Sequence, residues 1–256
     1  VEAWKAGDRV ADLTVIGGNT SHLVRKAAGL VRVPEDVDAA EAVSLVLSGV
    51  TASQMLFRHA RVARGARILI QGGNGAVGWF ANQLAVQAGV DVWTTARPEH
   101  HERLRAIGTH PLDYRDPDYP AAIVEQTGGG VDVVFDGQGA DRFRPSLASL
   151  KRGGRLVMIG ASQAVNRGGS MIVAGAVVLA RNLNPFGPRV SLYSITTTRK
   201  RHAAWFGEDL AQLFGMLQRR ELDVRVERRI DYDQVAQAHA DLERGGMSGK
   251  VVLVTP

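Results

Sequence analysis

The chain has 256 residues, of which 45% are hydrophobic and 22% are charged, a composition typical of a globular protein with one large or two modest domains. It contains no cysteine, which excludes disulfides and cysteine-ligated zinc within these residues. The formal net charge is +5, but 26 acidic residues are interspersed among the basic ones, so nucleic acid is not the expected partner.

The N-terminal part of the chain carries short strand and helix signals. So few strands cannot close a sheet or cover their own edges, and we expect a preceding segment or another element to pair with them. Asp38 is the predicted cap of the first helix, because its carboxylate accepts hydrogen bonds from free N–H groups. The predicted elements are a turn and strand at 5–10, strands over 22–25 and 30–33, and helices over 38–47 and 51–61.

The most informative stretch begins with an apolar, β-branched run over 67–71, which predicts a buried strand. A glycine-rich loop follows, then an amphipathic helix ended by Gly89 and a second strand over 90–95. This order predicts a bound dinucleotide, because the glycines let the backbone approach a pyrophosphate and the helix N-terminus offers it N–H groups. A glycine-rich turn without a ligand, or one that serves another nucleotide-like ligand, is the alternative. The loop contains G-x-G-x-x-G as Gly73, Gly75 and Gly78.

The end of the second strand indicates which dinucleotide is bound. Proteins that prefer NAD usually place a carboxylate there, on the ribose 2′-hydroxyl. This chain has Thr95 and Arg97 instead, and Asp91 lies too early in the strand for that role. Because a guanidinium pairs with a 2′-phosphate that a carboxylate would repel, we predict NADPH as the cofactor. An Arg97 that is merely exposed is the alternative.

Strands and helices continue to alternate after this motif. Such alternation predicts a parallel sheet with helices on both faces, whose ligands lie beyond the carboxyl ends of the strands. The predicted helices cover 98–107, 117–126 and 142–150, and the predicted strands cover 111–113, 131–135 and 154–160.

The C-terminal part begins with a linker and an apolar edge strand over 176–179. Because such an edge needs a cover, we expect a homodimer through the sheet edge near 175–182. The remaining predicted elements are a helix over 198–220, a strand over 224–230, a helix over 233–244 capped by Asp233, and a strand over 250–254.

Neither a metal site nor a membrane span is predicted. No Ser/His/Asp or Cys/His arrangement stands out. The paired His100 and His101 are expected near the adenosine or in solvent, and the isolated histidines in surface or core roles, namely His22, His59, His202 and His239. The most apolar run, 171–180, is too short to cross a bilayer. No signal peptide is recognisable, so we expect a cytoplasmic protein.

Together these motifs resemble the zinc-independent quinone oxidoreductases of the medium-chain dehydrogenase/reductase superfamily, over essentially the whole chain. The matching segments are 5–10, 47–54, 72–78, 112–115, 153–160, 190–194 and 248–253. The resemblance implies an α/β fold with a Rossmann doubly wound parallel sheet and a partial GroES-like β domain. The implied domains are a partial GroES-like catalytic domain over 1–45, a dinucleotide-binding domain over 46–220 and a return to the catalytic domain over 221–256.

The same resemblance implies the site residues. Thr51 is the one weak catalytic candidate, as a hydrogen-bonding group near the nicotinamide, and a helix N-cap is an equally good account of it. The implied cofactor contacts are Asn74, Gly75, Ala76 and Val77 on the pyrophosphate, Thr95, Arg97 and Tyr114 on the adenosine ribose phosphate, Gly160, Ala161, Ser191 and Leu192 beside the nicotinamide, and Lys250 near a cofactor phosphate.

The implied activity is NADPH-dependent hydride transfer to a quinone or an α,β-unsaturated carbonyl compound, an enone or alkenal. The cofactor carries this chemistry, and no metal is needed if a hydrogen-bond donor or water polarises the substrate oxygen. Two alternatives stay open. One is a zinc-type alcohol dehydrogenase whose ligands lie in a segment before Val1, and the other is a non-catalytic homologue that binds NADPH or RNA.

Overall fold

A computed structural model describes residues 4–14, 16–137, 143–159, 178, 182, 187–244 and 249–255. The backbone divides into two compact units, the first formed by Val1–Thr51 with Thr196–Pro256 and the second by Ala52–Ile195. The sequence prediction set its bounds at 45 and 220 instead, and the roles given to its three domains stay predictions.

The described residues include the following ten strands and eight helices. The strands are β1 Val10–Ala11, β2 Val31–Arg32, β3 Arg67–Ile70, β4 Asp91–Ala96, β5 His110–Asp113, β6 Val131–Asp136, β7 Leu150–Ile159, β8 Arg189–Tyr193, β9 Val226–Asp231 and β10 Lys250–Val254. The helices are α1 Ala39–His59, α2 Ala76–Gln87, α3 His101–Ala106, α4 Tyr119–Thr127, α5 Phe143–Ala148, α6 Ile195–Arg201, α7 Ala203–Gln218 and α8 Val235–Arg244.

The second unit is built on a six-stranded sheet in the order β5-β4-β3-β6-β7-β8, in which every pair is parallel. The order reverses between β3 and β6, which is the strand order of a Rossmann sheet with its ligand crevice at that switch point. The predicted fold class is therefore confirmed, and so is the strand, loop, helix and strand order over 67–96.

The core of this sheet is apolar and continuous. Its strands are rich in β-branched and aliphatic residues, and parallel strands that are buried on both faces require such runs. One buried cluster joins the sheet to α4 and α5, and its members are Leu69, Trp93, Tyr119, Ile123, Val131, Val134, Phe143, Leu156, Met158 and Val190.

The first unit contains two small sheets, an antiparallel pair β1–β2 and a parallel pair β9–β10. No strand forms at 22–25, so the strand predicted there is wrong, and the side chains of these four residues are exposed. The predicted helix over 198–220 is two helices, α6 and α7, which are separated at His202. Asp233 does not cap a helix either, because it lies inside a 3-10 turn, Tyr232–Gln234, that precedes α8.

Helix α1 is a single helical segment where two helices were predicted. It includes two π-helical stretches, Leu45–Gly49 and Gln54–His59, which continue the helix without a break. The predicted cap is confirmed, since Asp38 accepts hydrogen bonds from the N–H groups of Ala40 and Glu41. Although α1 is long and apolar enough to cross a membrane, 78% of its most apolar window is buried, as in the core helix of a globular protein.

Strand β8 was not predicted, although Pro188 and the alternation of polar and apolar residues after it are signals for a strand. Of the edge strand predicted over 176–179 only Val178 is described, and it is helical, so no strand is found at that residue. The homodimer expected near 175–182 stays a prediction.

Candidate functional site

At Gly73 and Gly78, the glycine loop between β3 and α2 packs so closely that neither position can accommodate a side chain. A Cβ on Gly73 would overlap the hydroxyl of Thr94 and lie 2.7 Å from Asn82 Nδ2. A Cβ on Gly78 would overlap the carbonyl oxygen of Gly72 and lie 2.8 Å from Gly73 Cα. Gly72 has a φ of +73°, a left-handed conformation that favours glycine and turns the chain sharply into the helix. The first and third glycines of the fingerprint are therefore required by packing.

The start of α2 is open to a ligand. Gly75 is its N-cap residue, and no side chain caps the helix. Gly75 and Ala76 are exposed, while Asn74 and Val77 are partly exposed. A helix N-terminus with free N–H groups and the positive end of the helix dipole is suited to bind a phosphate. The four residues predicted to contact the pyrophosphate thus share one accessible turn, and the contact itself stays a prediction.

Thr95 supports the loop from behind. It is fully buried, with 0% of its surface exposed. Its carbonyl oxygen accepts from Gly73 N at 2.8 Å, and its hydroxyl oxygen accepts from Gly72 N at 3.0 Å. The hydroxyl proton is donated to Gln71 Oε1, 2.7 Å away, so no donor remains for a ribose phosphate. The structure therefore gives Thr95 a supporting role where the resemblance implied contact with the cofactor.

Arg97 and Tyr114 come together at the end of the sheet. Arg97 Nε lies 3.5 Å from the hydroxyl oxygen of Tyr114, and Nη1 lies 3.5 Å from Glu99 Oε1. The Tyr114 and Glu99 contacts raise the pKa of Arg97, so its charge is secure. With 53% of its side chain exposed, the guanidinium has donors facing solvent. Two residues predicted to face the adenosine ribose phosphate thus form one basic corner.

Glu99 is the carboxylate at this corner, where it pairs with Arg97, while the carboxylates of the two strands are directed elsewhere. Asp91 lies at the opposite end of β4 and contacts His110 Nε2 at 2.9 Å. Asp113 ends the neighbouring strand β5, and Arg115 donates to both of its oxygens, from Nε at 3.0 Å and from Nη2 at 2.8 Å. The Arg115 guanidinium lowers the pKa of Asp113 to about 2. The negative charge of Asp113 is therefore matched by a fixed positive charge.

The residues implied beside the nicotinamide are only partly described. Gly160 and Ala161 lie outside the described residues. Ser191 is on β8, and its Oγ lies 2.9 Å from His59 Nε2 at the end of α1. Leu192 is partly buried and packs against the sheet core. The sequence predicts His59 in a surface or core role, and no local signal could have indicated its contact with Ser191, which lies 132 residues away.

Thr51 and Lys250 belong to the first unit. Thr51 lies inside α1 and is 5% exposed, so the alternative in which it caps a helix is wrong. Lys250 begins β10, and its Nζ donates to Ser48 Oγ at 2.6 Å. Burial lowers the pKa of Lys250. The proposed roles of both residues toward a cofactor stay predictions.

Among the residues that the structure describes, no group of three or more His, Asp or Glu side chains is placed to hold a metal ion. The prediction of a metal-free site is a separate claim, which remains a prediction.

Comparison with known proteins gives a consistent result. A family model described as zinc-binding dehydrogenase matches residues 108–253. The quinone oxidoreductase of Pseudomonas aeruginosa is 29% identical over 99% of this chain and 77% of that protein. The solved quinone oxidoreductase of Pseudomonas syringae is 27% identical, with a TM-score of 0.83 over 99% of this chain and 76% of that one. A mycobacterial protein solved in complex with NADPH is 29% identical, with a TM-score of 0.71 over 88% of this chain and 67% of that one.

Proposed function

The chain belongs to the zinc-binding dehydrogenase family, and on that premise we propose that it is an NADPH-dependent oxidoreductase that transfers hydride to a quinone or an α,β-unsaturated carbonyl compound. Relatives that match nearly the whole chain support the general assignment, an oxidoreductase of the medium-chain dehydrogenase/reductase type.

The observation that carries the proposal is the glycine loop with its open helix end. Gly73 and Gly78 bring the loop backbone against β4 and α2, which leaves the first turn of α2 uncapped and accessible. A diphosphate is the ligand that such a turn is suited to hold, because it combines N–H donors with the positive end of the helix dipole. The residues present therefore fit a dinucleotide.

The choice of NADPH over NADH rests on the basic corner of Arg97 and Tyr114. Strand β4 itself ends without the carboxylate that an NAD-binding protein would place there, and Glu99, three residues later, pairs with Arg97 at 3.5 Å. Arg97 is charged and exposed, so a ligand in solution can reach its guanidinium. A guanidinium binds a phosphate through two parallel hydrogen bonds. A relative solved with NADPH supports the same choice.

A bound reduced nicotinamide supplies the hydride, so the work of the protein is to bind, orient and exclude water. In the second unit, the first turn of α2 would hold the pyrophosphate, and Arg97 would hold the 2′-phosphate. Ser191 and Leu192 lie on β8, the last strand of the sheet among the described residues. Side chains at the end of α1 hold it in place, since the Tyr193 hydroxyl donates to Gln54 Oε1 at 2.9 Å. This strand is the proposed support on the nicotinamide side.

The substrate class is proposed from relatives named quinone oxidoreductase and enoyl reductase. Electron-poor quinones and enones share one requirement, a carbon or oxygen acceptor for hydride beside a polarisable carbonyl. A zinc-type alcohol dehydrogenase whose ligands lie before Val1, and a non-catalytic homologue that binds NADPH or RNA, remain the alternatives. The homodimer and the cytoplasmic location remain predictions.

The proposal is tested by following the oxidation of NADPH by absorbance with a panel of quinones and enones. We expect turnover with at least one of these substrates, and loss of turnover in Gly73→Ala, whose loop cannot close. Gly207→Ala is the matched control, because a Cβ at that position meets only an ordinary contact with Val31. If the chain binds NADPH but oxidises it with no member of the panel, the proposed activity is wrong.

A further inference from the structure

A chain of hydrogen bonds runs from the glycine loop to a buried carboxylate. Gly72 N donates to Thr95 Oγ1 at 3.0 Å, and Thr95 Oγ1 donates to Gln71 Oε1 at 2.7 Å. Gln71 Nε2 donates to Ser146 Oγ at 3.1 Å, and Ser146 Oγ donates to Asp136 Oδ2 at 2.5 Å. We call this series the loop-to-Asp136 chain. It connects residues that follow β3, end β4 and β6, and lie on α5.

Asp136 fixes the direction of every bond in the series. An ionised carboxylate only accepts hydrogen bonds, so Ser146 must donate its proton to Asp136. The Ser146 oxygen can then accept from Gln71, which requires the amide nitrogen of Gln71 to face it. The amide oxygen of Gln71 consequently faces Thr95, which must donate and is left with lone pairs for Gly72 N. The charge at one end thus sets the orientation of the loop N–H at the other.

The Asp136 end of the series is shielded from water, whereas Gln71 is partly exposed and Gly72 is exposed. Asp136 is 3% exposed, and Ser146 and Thr95 are also buried. The hydroxyl of Tyr119 accepts a second hydrogen bond from Gln71 Nε2 at 2.7 Å, which holds the amide in the same orientation. Burial raises the pKa of Tyr119, and the negative charge of Asp136 raises it further. Buried polar groups in a low dielectric are costly to leave unpaired, so the series acts as a unit.

We propose that Asp136 is a positioning residue for the cofactor loop, because the loop-to-Asp136 chain holds the N–H of Gly72 inward. With Gly72 held there, the loop is fixed behind the first turn of α2. The N–H groups of that turn are then the ones that face the ligand. The consequence for cofactor affinity rests on the proposed function, whereas the orientation of Gly72 does not.

The test compares two substitutions on the same strand. Asp136→Asn removes the charge that orients the chain, while Asp132→Asn makes the same change at the other end of β6, where Asp132 accepts from Arg67 N at 2.7 Å. The readouts are the Gly72 amide resonance and its hydrogen exchange in glycine-labelled protein without cofactor, followed by NADPH titration. We expect D136N to shift the Gly72 amide, speed its exchange and weaken NADPH binding about five-fold, the effect of one hydrogen bond.

Ser146→Ala keeps the test decisive if D136N does not fold, because it removes the hydroxyl that joins Gln71 to Asp136 and should shift the Gly72 amide as D136N does. A pair of variants at Thr95 tests the other end of the series. Thr95→Ser retains the hydroxyl and should leave the Gly72 amide and NADPH binding as in the wild type. Thr95→Val removes it with little change in shape and should behave like D136N. A Gly72 amide that is unchanged in D136N, S146A or T95V, or changed equally in D132N and D136N, overturns the proposal. If the wild type binds no NADPH, the proposed function falls instead, and the Gly72 amide still decides about Asp136.

Discussion

His59, at the end of α1, is joined to Ser191, in strand β8, by a hydrogen bond of 2.9 Å between Nε2 and Oγ. The imidazole also meets the ring of Tyr193 edge-on, with 5.8 Å between the ring centres. Because Gln54 bonds to the Tyr193 hydroxyl one turn earlier, two side chains of the last part of α1 hold this strand. The strand that the resemblance places beside the nicotinamide is therefore anchored by a titratable group.

The stability of the chain should depend on pH through His59. Burial, followed by the charge of Arg155, lowers the pKa of His59 below its ordinary 6.5. The unfolded chain therefore takes up a proton before the folded one as the pH falls. The contribution to stability is complete above 6.5 and is lost as the pH drops through the lowered pKa.

The measurement is urea unfolding of the wild type and of His59→Gln at several pH values between about 7.5 and 5. Glutamine keeps a polar group beside Ser191 but does not titrate, so the variant should lose less stability over this range. Equal losses in the two proteins would show that other groups govern the dependence.

Gly78→Ala should destabilise the protein and abolish dinucleotide binding. The new Cβ would lie 2.8 Å from Gly73 Cα and overlap the carbonyl oxygen of Gly72, so the loop must move away from α2. We expect a loss of about 1–3 kcal/mol, the usual cost of forcing atoms into a packed region. Gly207→Ala, within α7, should instead stabilise the protein by about 0.5–1 kcal/mol, since alanine favours a helix. Thermal unfolding and NADPH titration of both variants decide the matter, and tight binding by G78A would refute the packing argument.

The N-cap of α1 should contribute measurably to stability. Asp38 Oδ1 accepts from Ala40 N and Glu41 N at 3.0 Å each, and it also pairs with Arg229 Nη2 at 2.8 Å. Asp38→Ala should cost about 1 kcal/mol, because two N–H groups lose their partner. Asp38→Ser keeps a cap and loses only an exposed ion pair, so it should cost about half of that or less. Chemical unfolding measures the loss of stability in each variant. Equal losses in D38A and D38S would assign the loss to the ion pair with Arg229 rather than to the cap.

The Rossmann sheet could be predicted because its signals are local. The apolar run over 67–71 and the fingerprint glycines specify a strand, a loop and a helix from neighbouring residues alone. Helix α1 could not be divided correctly from sequence. Its two predicted halves are joined through the π-helical stretch Leu45–Gly49, which continues the helix without a stop signal.

The support of the site could not be predicted for a different reason. The resemblance implied that Thr95 contacts the cofactor, but its hydroxyl is engaged by Gln71 and Gly72. Gln71 in turn bonds to Tyr119, which is 48 residues away in the sequence. Such partners depend on how strands and helices pack, and a sequence pattern shows which residues end a strand but not which of them face inward.

The most direct test of the account is a fluorescence titration with NADPH and NADH of the wild type and of Arg97→Ala. Arg105→Ala is the control, because this exposed arginine on α3 removes the same charge away from the corner formed by Arg97 and Tyr114. The account predicts that R97A weakens NADPH binding about ten-fold and leaves NADH binding unchanged, while R105A alters neither. A wild type that binds neither dinucleotide, or an R97A variant that loses both equally, would contradict it.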